Sequence, residues 1–343
     1  MIKRAKDIYN SLQDNISRKI FFSRLQYSIT GDFRCLKKIF DCIGLSSCIL
    51  EKLNSDKRIV VFGAGAHGSR LVELYPECHW VAFCDNNHQL WGTEKQGLPI
   101  ISFDEMKRSY SDALVVISPR YCWDIIKNQF EMESVKNEYF CLGELIDTAI
   151  GVQYFDCPEL KQEEKEVFVD AGVLDGLSTL AFKEWAGEHY DYAYLFEPNA
   201  DVRKTILSNL DPLNYKLINK GIWDKETSLY FEAGVGANIG GFAVTEKENS
   251  GEKIPVTTLD NELLDIPVTF IKMDIEGSEY NALIGGEKLI KKYHPKLAIS
   301  VYHKPEDILD IPNLIREFNP SYRFYLRHYS FSYSETILYA LPR

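Results

Sequence analysis

The chain has 343 residues, 45% of them hydrophobic, and 39 Lys plus Arg against 50 Asp plus Glu give a formal net charge of −11. That length suits two domains with full cores. The acidic balance argues against a general nucleic-acid binder, because phosphate neutralisation needs clustered Lys and Arg. No apolar run approaches the length of a transmembrane segment, and the N-terminus lacks the apolar stretch of a signal peptide. Eight Cys lie between Cys35 and Cys157 with no C-x-x-C spacing. They read as reduced thiols of a cytoplasmic protein rather than disulfides or zinc ligands.

Residues 1–54 are expected to form a helical N-terminal segment. In "ISRKIFFSRLQYSI", Ile16, Ile20, Phe21, Leu25 and Ile29 recur at three- and four-residue spacings, the mark of an amphipathic helix. Up to residue 41 the segment is basic, with nine Lys/Arg facing four Asp. Residues 55–150 alternate strand and helix: "RIVVFGAG", "AHGSRLVELY", "WVAFCDN", "SFDEMKRSY", "ALVVIS" and "CWDIIKNQF". Such alternation implies a parallel sheet. The charged stretch "DCPELKQEEKE" marks the boundary to a second α/β unit over 151–343. There "VFVDAG", "YAYLFEP", "YKLINKGIW", "VTFIKMDIEG" and "KLAISVYH" read as strands, with helices between most of them. "SLYFEAG" and "EKIPVTTL" add strand-like pieces around the loop "GVGANIGGF". "YRFYLRHYS" and "TILYALP" follow with no helix between them, which predicts an antiparallel hairpin at the sheet edge. The expected fold is α/β, a seven-stranded sheet with a terminal hairpin and a smaller sheet domain before it.

Two strand-to-helix turns are rich in glycine. Gly63, Gly65 and Gly68 match G-x-G-x-x-G with no acid between them, and Asp85 ends the next strand. That is a dinucleotide-type fingerprint, suited to a pyrophosphate at a helix N-terminus and a ribose diol on the acid. In "VDAGVLDG", by contrast, Gly172 and Gly176 are flanked by Asp170 and Asp175. Carboxylates there repel phosphate and suit a cationic ligand such as S-adenosylmethionine. Glu197 in "LFEPN" ends the following strand, where a carboxylate can accept from both ribose hydroxyls.

Two later strand ends carry polar clusters. "FIKMDIEGSEY" brings Lys272, Asp274, Glu276 and Glu279, and "AISVYHKPED" brings Tyr302, His303 and Lys304. Ligands of open α/β sheets lie outside the carboxyl ends of the strands. Methyl transfer is an in-line displacement, largely a problem of positioning, helped by a general base when the acceptor is a hydroxyl. Asp274, His303 and Glu276 are the candidate catalytic residues, with His303 as base. The same three also suit an oxygen-rich divalent metal site. Glu276 and Glu279 have a simpler reading as acids at a helix N-terminus. Tyr302, Tyr325, Tyr329 and Phe331 are candidates to stack on sugar faces.

At "EVFVDAGVLDGLSTLAF", "YLFEPN", "VTTLDNELL", "FIKMDIEGSEYNALIGGEKLI" and "HPKLAISVYHKPEDI" the sequence resembles the FkbM family of methyltransferases. The resemblance implies a class I methyltransferase sheet over 151–343 and S-adenosylmethionine as donor. It also implies O-methylation of a sugar, glycan or related metabolite. The expected donor contacts are Asp170, Gly172, Asp175, Gly176, Glu197 and Asn219. Residues 55–150 resemble, less specifically, the Rossmann-like nucleotide-sugar-binding domains found beside glycan-modifying transferases. Two other classes stay open: an NAD(P)-dependent oxidoreductase using the first glycine turn, and a binding protein with a degenerate methyltransferase fold.

Overall fold

The computed structural model describes residues 2–53, 56–233, 242–245 and 252–343. The chain separates into two units. One holds Met1–Ile29, Val152–His328 and Ser334–Arg343; the other holds Thr30–Gly151 and Tyr329–Tyr333. The region read as one helical segment is divided between them. Its α-helices run over Ile2–Ser11, Asn15–Thr30, Lys37–Cys42 and Leu45–Leu53.

The Thr30–Gly151 unit contains a six-stranded sheet. Its centre is three all-buried or largely buried strands, Trp80–Cys84, Ile59–Phe62 and Leu114–Ile117, paired in parallel. Continuous apolar runs such as "IVVF" and "LVVI" suit strands covered on both faces. A short piece, Glu94–Lys95, pairs antiparallel at one edge.

The other unit is built on seven strands: β1 (Glu166–Ala171), β2 (Tyr190–Phe196), β3 (Tyr215–Ile218), β4 (Phe270–Met273), β5 (Lys296–Ser300), β6 (Arg323–His328) and β7 (Thr336–Leu341). Their order across the sheet is β6-β7-β5-β4-β1-β2-β3. All neighbours pair in parallel except β7, which is antiparallel to both β5 and β6. This is the seven-stranded sheet with a terminal hairpin expected from the sequence. The order reverses between β1 and β4, and their register sets Asp170 opposite Lys272 and Ala171 opposite Met273. Helix Leu177–Ala186 lies on β1 through Phe182, whose ring stacks on Phe168 with centroids 4.0 Å apart. Phe155, Trp185 and Phe270 complete that aromatic layer. It anchors the turn that joins β1 to the helix.

Three expectations are revised. "YKLINKGIW" is not one strand. β3 ends at Ile218, and Gly221–Ile222 joins a separate four-stranded sheet with Glu252–Thr257, Thr227–Ala233 and Phe242–Thr245. The loop "GVGANIGGF" between two of those strands falls, at 234–241, outside the described residues. Helix Asn15–Thr30 also buries a different face from the one its apolar spacing suggested. Ile20 and Phe21 are buried, but Ile16 is 40% and Ile29 63% exposed, while Ser17, Ser23 and Arg24 are inside. The physical reason is the edge strand β6, whose free backbone groups need partners. Gln13 N–H donates to the Phe324 carbonyl at 3.0 Å, and Leu326 N–H donates to the Ser17 hydroxyl at 2.8 Å. Finally, Tyr325, Tyr329 and Phe331 are buried and offer no stacking platform for a sugar. Among the described residues, no helix is long and apolar enough to cross a membrane.

Candidate functional site

The C-terminal ends of β1, β2 and β4 line a cavity of about 380 Å³. Its wall is first of all the glycine turn after β1. Gly172 has φ of +81°, and a Cβ there would run into the carbonyl oxygen of Asp274. Only glycine lets the β1 turn press backbone to backbone against the end of β4. Leu174 follows at φ +55°, a left-handed conformation disfavoured for a branched side chain. Its N–H donates to Glu197 Oε2 at 3.1 Å, and Asn199 N–H donates to Glu197 Oε1 at 2.8 Å. Glu197 is thereby fixed at the cavity wall, and burial pushes its carboxyl above the usual range. Each of its oxygens keeps accepting capacity, since a carboxylate offers about four lone-pair sites.

Asp170 does not reach this cavity. Its side chain is fully buried behind the turn, where it accepts from Ser178 Oγ at 2.6 Å, Thr179 Oγ1 at 2.7 Å and Lys272 Nζ at 2.9 Å. Lys272 also donates to the Gly172 carbonyl at 2.6 Å and lies over the Tyr154 ring. The carboxylate expected to meet a ligand instead ties the first helix and the neighbouring strand to the turn. Gly176 likewise serves the fold, as a left-handed helix cap against Leu210. Asn219 is exposed in the break after β3 and is not part of the cavity wall. Gly172, Asp175, Glu197, Asp274 and Glu276 do line it.

The far end of the cavity is acidic. Tyr154 O–H donates to Asp274 Oδ2 at 2.9 Å, and Tyr302 O–H donates to Oδ1 at 3.0 Å. Burial pulls the Asp274 carboxyl upward, but His303, Lys272 and the Tyr154 hydroxyl outweigh it and hold it below the usual carboxylate range. Glu276 sits at φ +54°, and burial raises its carboxyl. His303 stands behind these two acids. Its Nε2 is 3.4 Å from Asp274 Oδ1 and 3.4 Å from Glu276 Oε2, and its Nδ1 is 2.9 Å from Glu279 Oε1. Burial alone would lower His303, yet Glu279, Asp274 and Glu276 push it up to about 10. At neutral pH the ring therefore carries its proton, which is the wrong state for the base expected from the sequence.

Two neighbours of Asp274 were not singled out from the sequence, and a third was given a simpler part. Tyr154 lies beside a charged stretch that reads as a boundary. Glu335 is raised to about 7, first by burial and then by Asp274, and accepts from Gln153 and Tyr302. Glu279 reads as a helix-start acid and does fill that place, accepting the Ile275 N–H at 2.9 Å, but its carboxylate also faces His303.

In the other unit the first glycine turn is tightly built. A Cβ on Gly68 would collide with the Gly63 carbonyl, and Gly63 has φ of +103°. Helix Ala66–Leu74 starts at Gly65. Asp85 accepts the Ala64 N–H at 2.8 Å and the Asn87 N–H at 2.8 Å, so both its oxygens already brace the loop. His67 is lowered to about 4 by burial, helped by Arg70 and Arg120.

The sheet order places the cavity at the switch point, outside the carboxyl ends of the central strands, which is where open α/β sheets bind their ligands. Residues 170–333 match the family described as the methyltransferase FkbM domain, and residues 55–139 match the family described as C2185-like, N-terminal. The solved structure of a methyltransferase FkbM from Methylobacillus flagellatus KT has the same fold. Its TM-score is 0.52 at 21% identity, over 85% of this chain and 92% of that one. The fibrillarin of Aeropyrum pernix, solved with bound S-adenosyl-L-methionine, is a more distant likeness: TM-score 0.35 at 11% identity, over 55% of this chain and 71% of that one. No curated protein matches the chain. Residues 170–333 thus match a methyltransferase domain of the FkbM family, over the unit that holds this cavity.

Proposed function

We propose that this protein transfers a methyl group from S-adenosylmethionine to a hydroxyl of a saccharide, glycan or related metabolite. The observation that carries the reading is the cavity wall itself. Among the described residues, Asp175, Glu197, Asp274 and Glu276 line it against one cation, Lys272, which is already paired with Asp170. Such a wall favours a positively charged ligand without phosphate. Glu197 accepts the ribose hydroxyls, and the bare backbone at Gly172 allows close approach of the donor. In the transfer, the acceptor oxygen bonds to the methyl carbon as the carbon–sulfur bond breaks and its electrons return to sulfur. The proton of the acceptor hydroxyl passes to a carboxylate, Glu276 or Asp274, while the His303 ring holds those carboxylates in place. The eight free thiols fit a reducing cytoplasm. On the same reading a nucleotide sugar occupies the turn at Gly63, Gly65 and Gly68. Its support is the helix N-terminus that opens from that turn.

Calorimetric titration of the purified protein with S-adenosylmethionine and, separately, with NADH tests the donor. Heat with the former is expected. Heat with NADH alone would replace this reading by an oxidoreductase. Turnover is then read by incubating labelled donor with nucleotide sugars and extracted glycans; donor binding without label transfer would leave only a binding protein. Glu197→Ala is expected to weaken donor affinity by about 1–3 kcal/mol, a factor of roughly 5 to 150. Unaltered affinity would remove Glu197 from the donor site.

A further inference from the structure

We propose that Asp274, Glu279 and His303 form a divalent-cation site at the edge of the reaction cavity. The residues come from three places in the fold. Asp274 follows β4, Glu279 opens the helix Glu279–Ile284, and His303 follows β5. One ligand atom from each lies within 4.8 Å of the others. Ligands of a small divalent ion stand about 3–3.5 Å from one another when each is 2.0–2.3 Å from the metal. The observed set needs only modest inward movement of side chains to reach that spacing.

A second observation points the same way. Glu279 is fully buried, yet its Oε2 has no hydrogen-bond partner. The His303 side chain is 10% exposed, and neither ring nitrogen makes an aligned hydrogen bond, although carboxylate oxygens lie 2.9 and 3.4 Å away. Buried polar atoms left without partners are uncommon in native proteins and call for a cause. A cation that displaces the ring proton satisfies the imidazole nitrogen and the carboxylates together. It also offsets the excess of negative charge where Asp274, Glu276 and Glu279 surround one ring.

The donor set is two carboxylates and one imidazole, with no thiolate. That favours ions of the Mn²⁺ type over those selected by sulfur. The sequence pointed to Asp274, Glu276 and His303 for such a site; the structure assigns Glu279 to the third position and leaves Glu276 on the cavity wall. Tyr154 and Tyr302 orient the Asp274 carboxylate from behind. Asp274 lines the cavity, so an ion held there meets an acceptor hydroxyl and makes its proton easier to lose. This use in catalysis rests on the proposed function; the binding of the ion does not.

The test is titration of the full-length, chelator-stripped protein with MnCl₂, read by the electron paramagnetic resonance signal of free Mn²⁺. About one ion bound per chain is expected, with at least tenfold weaker binding in Glu279→Gln and in His303→Gln. Thermal melts of the wild-type protein supply a second reading that needs no variant: Mn²⁺ raises the melting temperature, as any ligand of the folded state must. A free-Mn²⁺ signal undiminished by excess protein overturns the site, and so do variants that fold and bind like wild type. Donor calorimetry on the stripped protein separates the two proposals. Donor heat without Mn²⁺ binding refutes only the cation site, and Mn²⁺ binding without donor heat refutes only the methyl-transfer reading.

Discussion

Lys272→Met is expected to destabilise the protein by about 3–5 kcal/mol, the usual cost of leaving one partner of a buried ion pair unpaired. Lys272 and Asp170 are both buried, and their side chains meet at 2.9 Å. Burial works against the charged ammonium, but Asp170, Asp274 and Glu197 more than compensate and hold the lysine above its ordinary range. The methionine fills most of the volume yet strands the Asp170 carboxylate, which keeps only the Ser178 and Thr179 hydroxyls. It also frees the Gly172 carbonyl, now held by the lysine at 2.6 Å. Donor affinity should therefore fall along with stability, since that carbonyl belongs to the turn lining the cavity. Asp170→Asn added to Lys272→Met is expected to recover part of the lost stability, because it removes the stranded charge. Chemical denaturation of the single and double variants decides the matter. A loss below about 1 kcal/mol, or a double variant no better than the single, would show that the pair is not what holds the turn.

Stability should also fall as pH rises, through the cluster beyond Asp274. His303 has its folded pKa raised to about 10 from an ordinary 6.5. Its contribution is fully present below pH 6.5 and is lost as pH climbs through about 10. Asp307 is raised from 3.8 to about 7 by burial and then by Glu279, and Glu335 from 4.5 to about 7 by burial and then by Asp274. Both hold protons in the folded state that the unfolded chain has released, so they too lose stability with rising pH, between about 4 and 7. The groups facing His303 are the carboxyls of Glu279, Asp274, Glu276, Asp307 and Glu335, and the Tyr302 ring at 4.1 Å between centroids. One pKa unit corresponds to about 1.4 kcal/mol, so the ring alone accounts for several kcal/mol. Melting temperatures of the metal-free protein, measured in chelator from pH 6.5 to 10, should drop steadily, and the slope should flatten in His303→Gln. An identical slope in the variant, or a rise in melting temperature, would contradict the ion-pair cluster around His303.

Much of this protein could be read from local sequence. Strand runs such as "FIKM" and "KLAIS" are apolar because their sheet is covered, and each is followed by the polar residues that an open sheet presents at its carboxyl ends. Gly172 and Glu197 were legible for the same reason: a turn after a strand, or an acid ending one, is a property of a few consecutive residues. The terminal hairpin was legible because no helix lies between its two strands.

What escaped depended on who stands beside whom. Asp170 was expected to face a ligand. Sheet register sets it opposite Lys272, a hundred and two positions away in sequence, and the pair closes on itself. His303 was expected to be a base because an isolated imidazole titrates near neutrality. Three carboxylates from other segments keep it charged, and none of them is visible from its own strand. Tyr154 reaches Asp274 across a hundred and twenty positions. Helix Asn15–Thr30 chose its buried face by the edge strand it covers, not by its own apolar spacing. The sequence alone determined most of the strands, the turns and the chemical character of the strand ends, since those follow from neighbouring residues and backbone conformation. The tertiary structure decided which strand ends share one cavity and which charges cancel. Sheet order and register bring distant residues within a few ångströms, and at that range Coulomb interaction and burial govern how each one behaves.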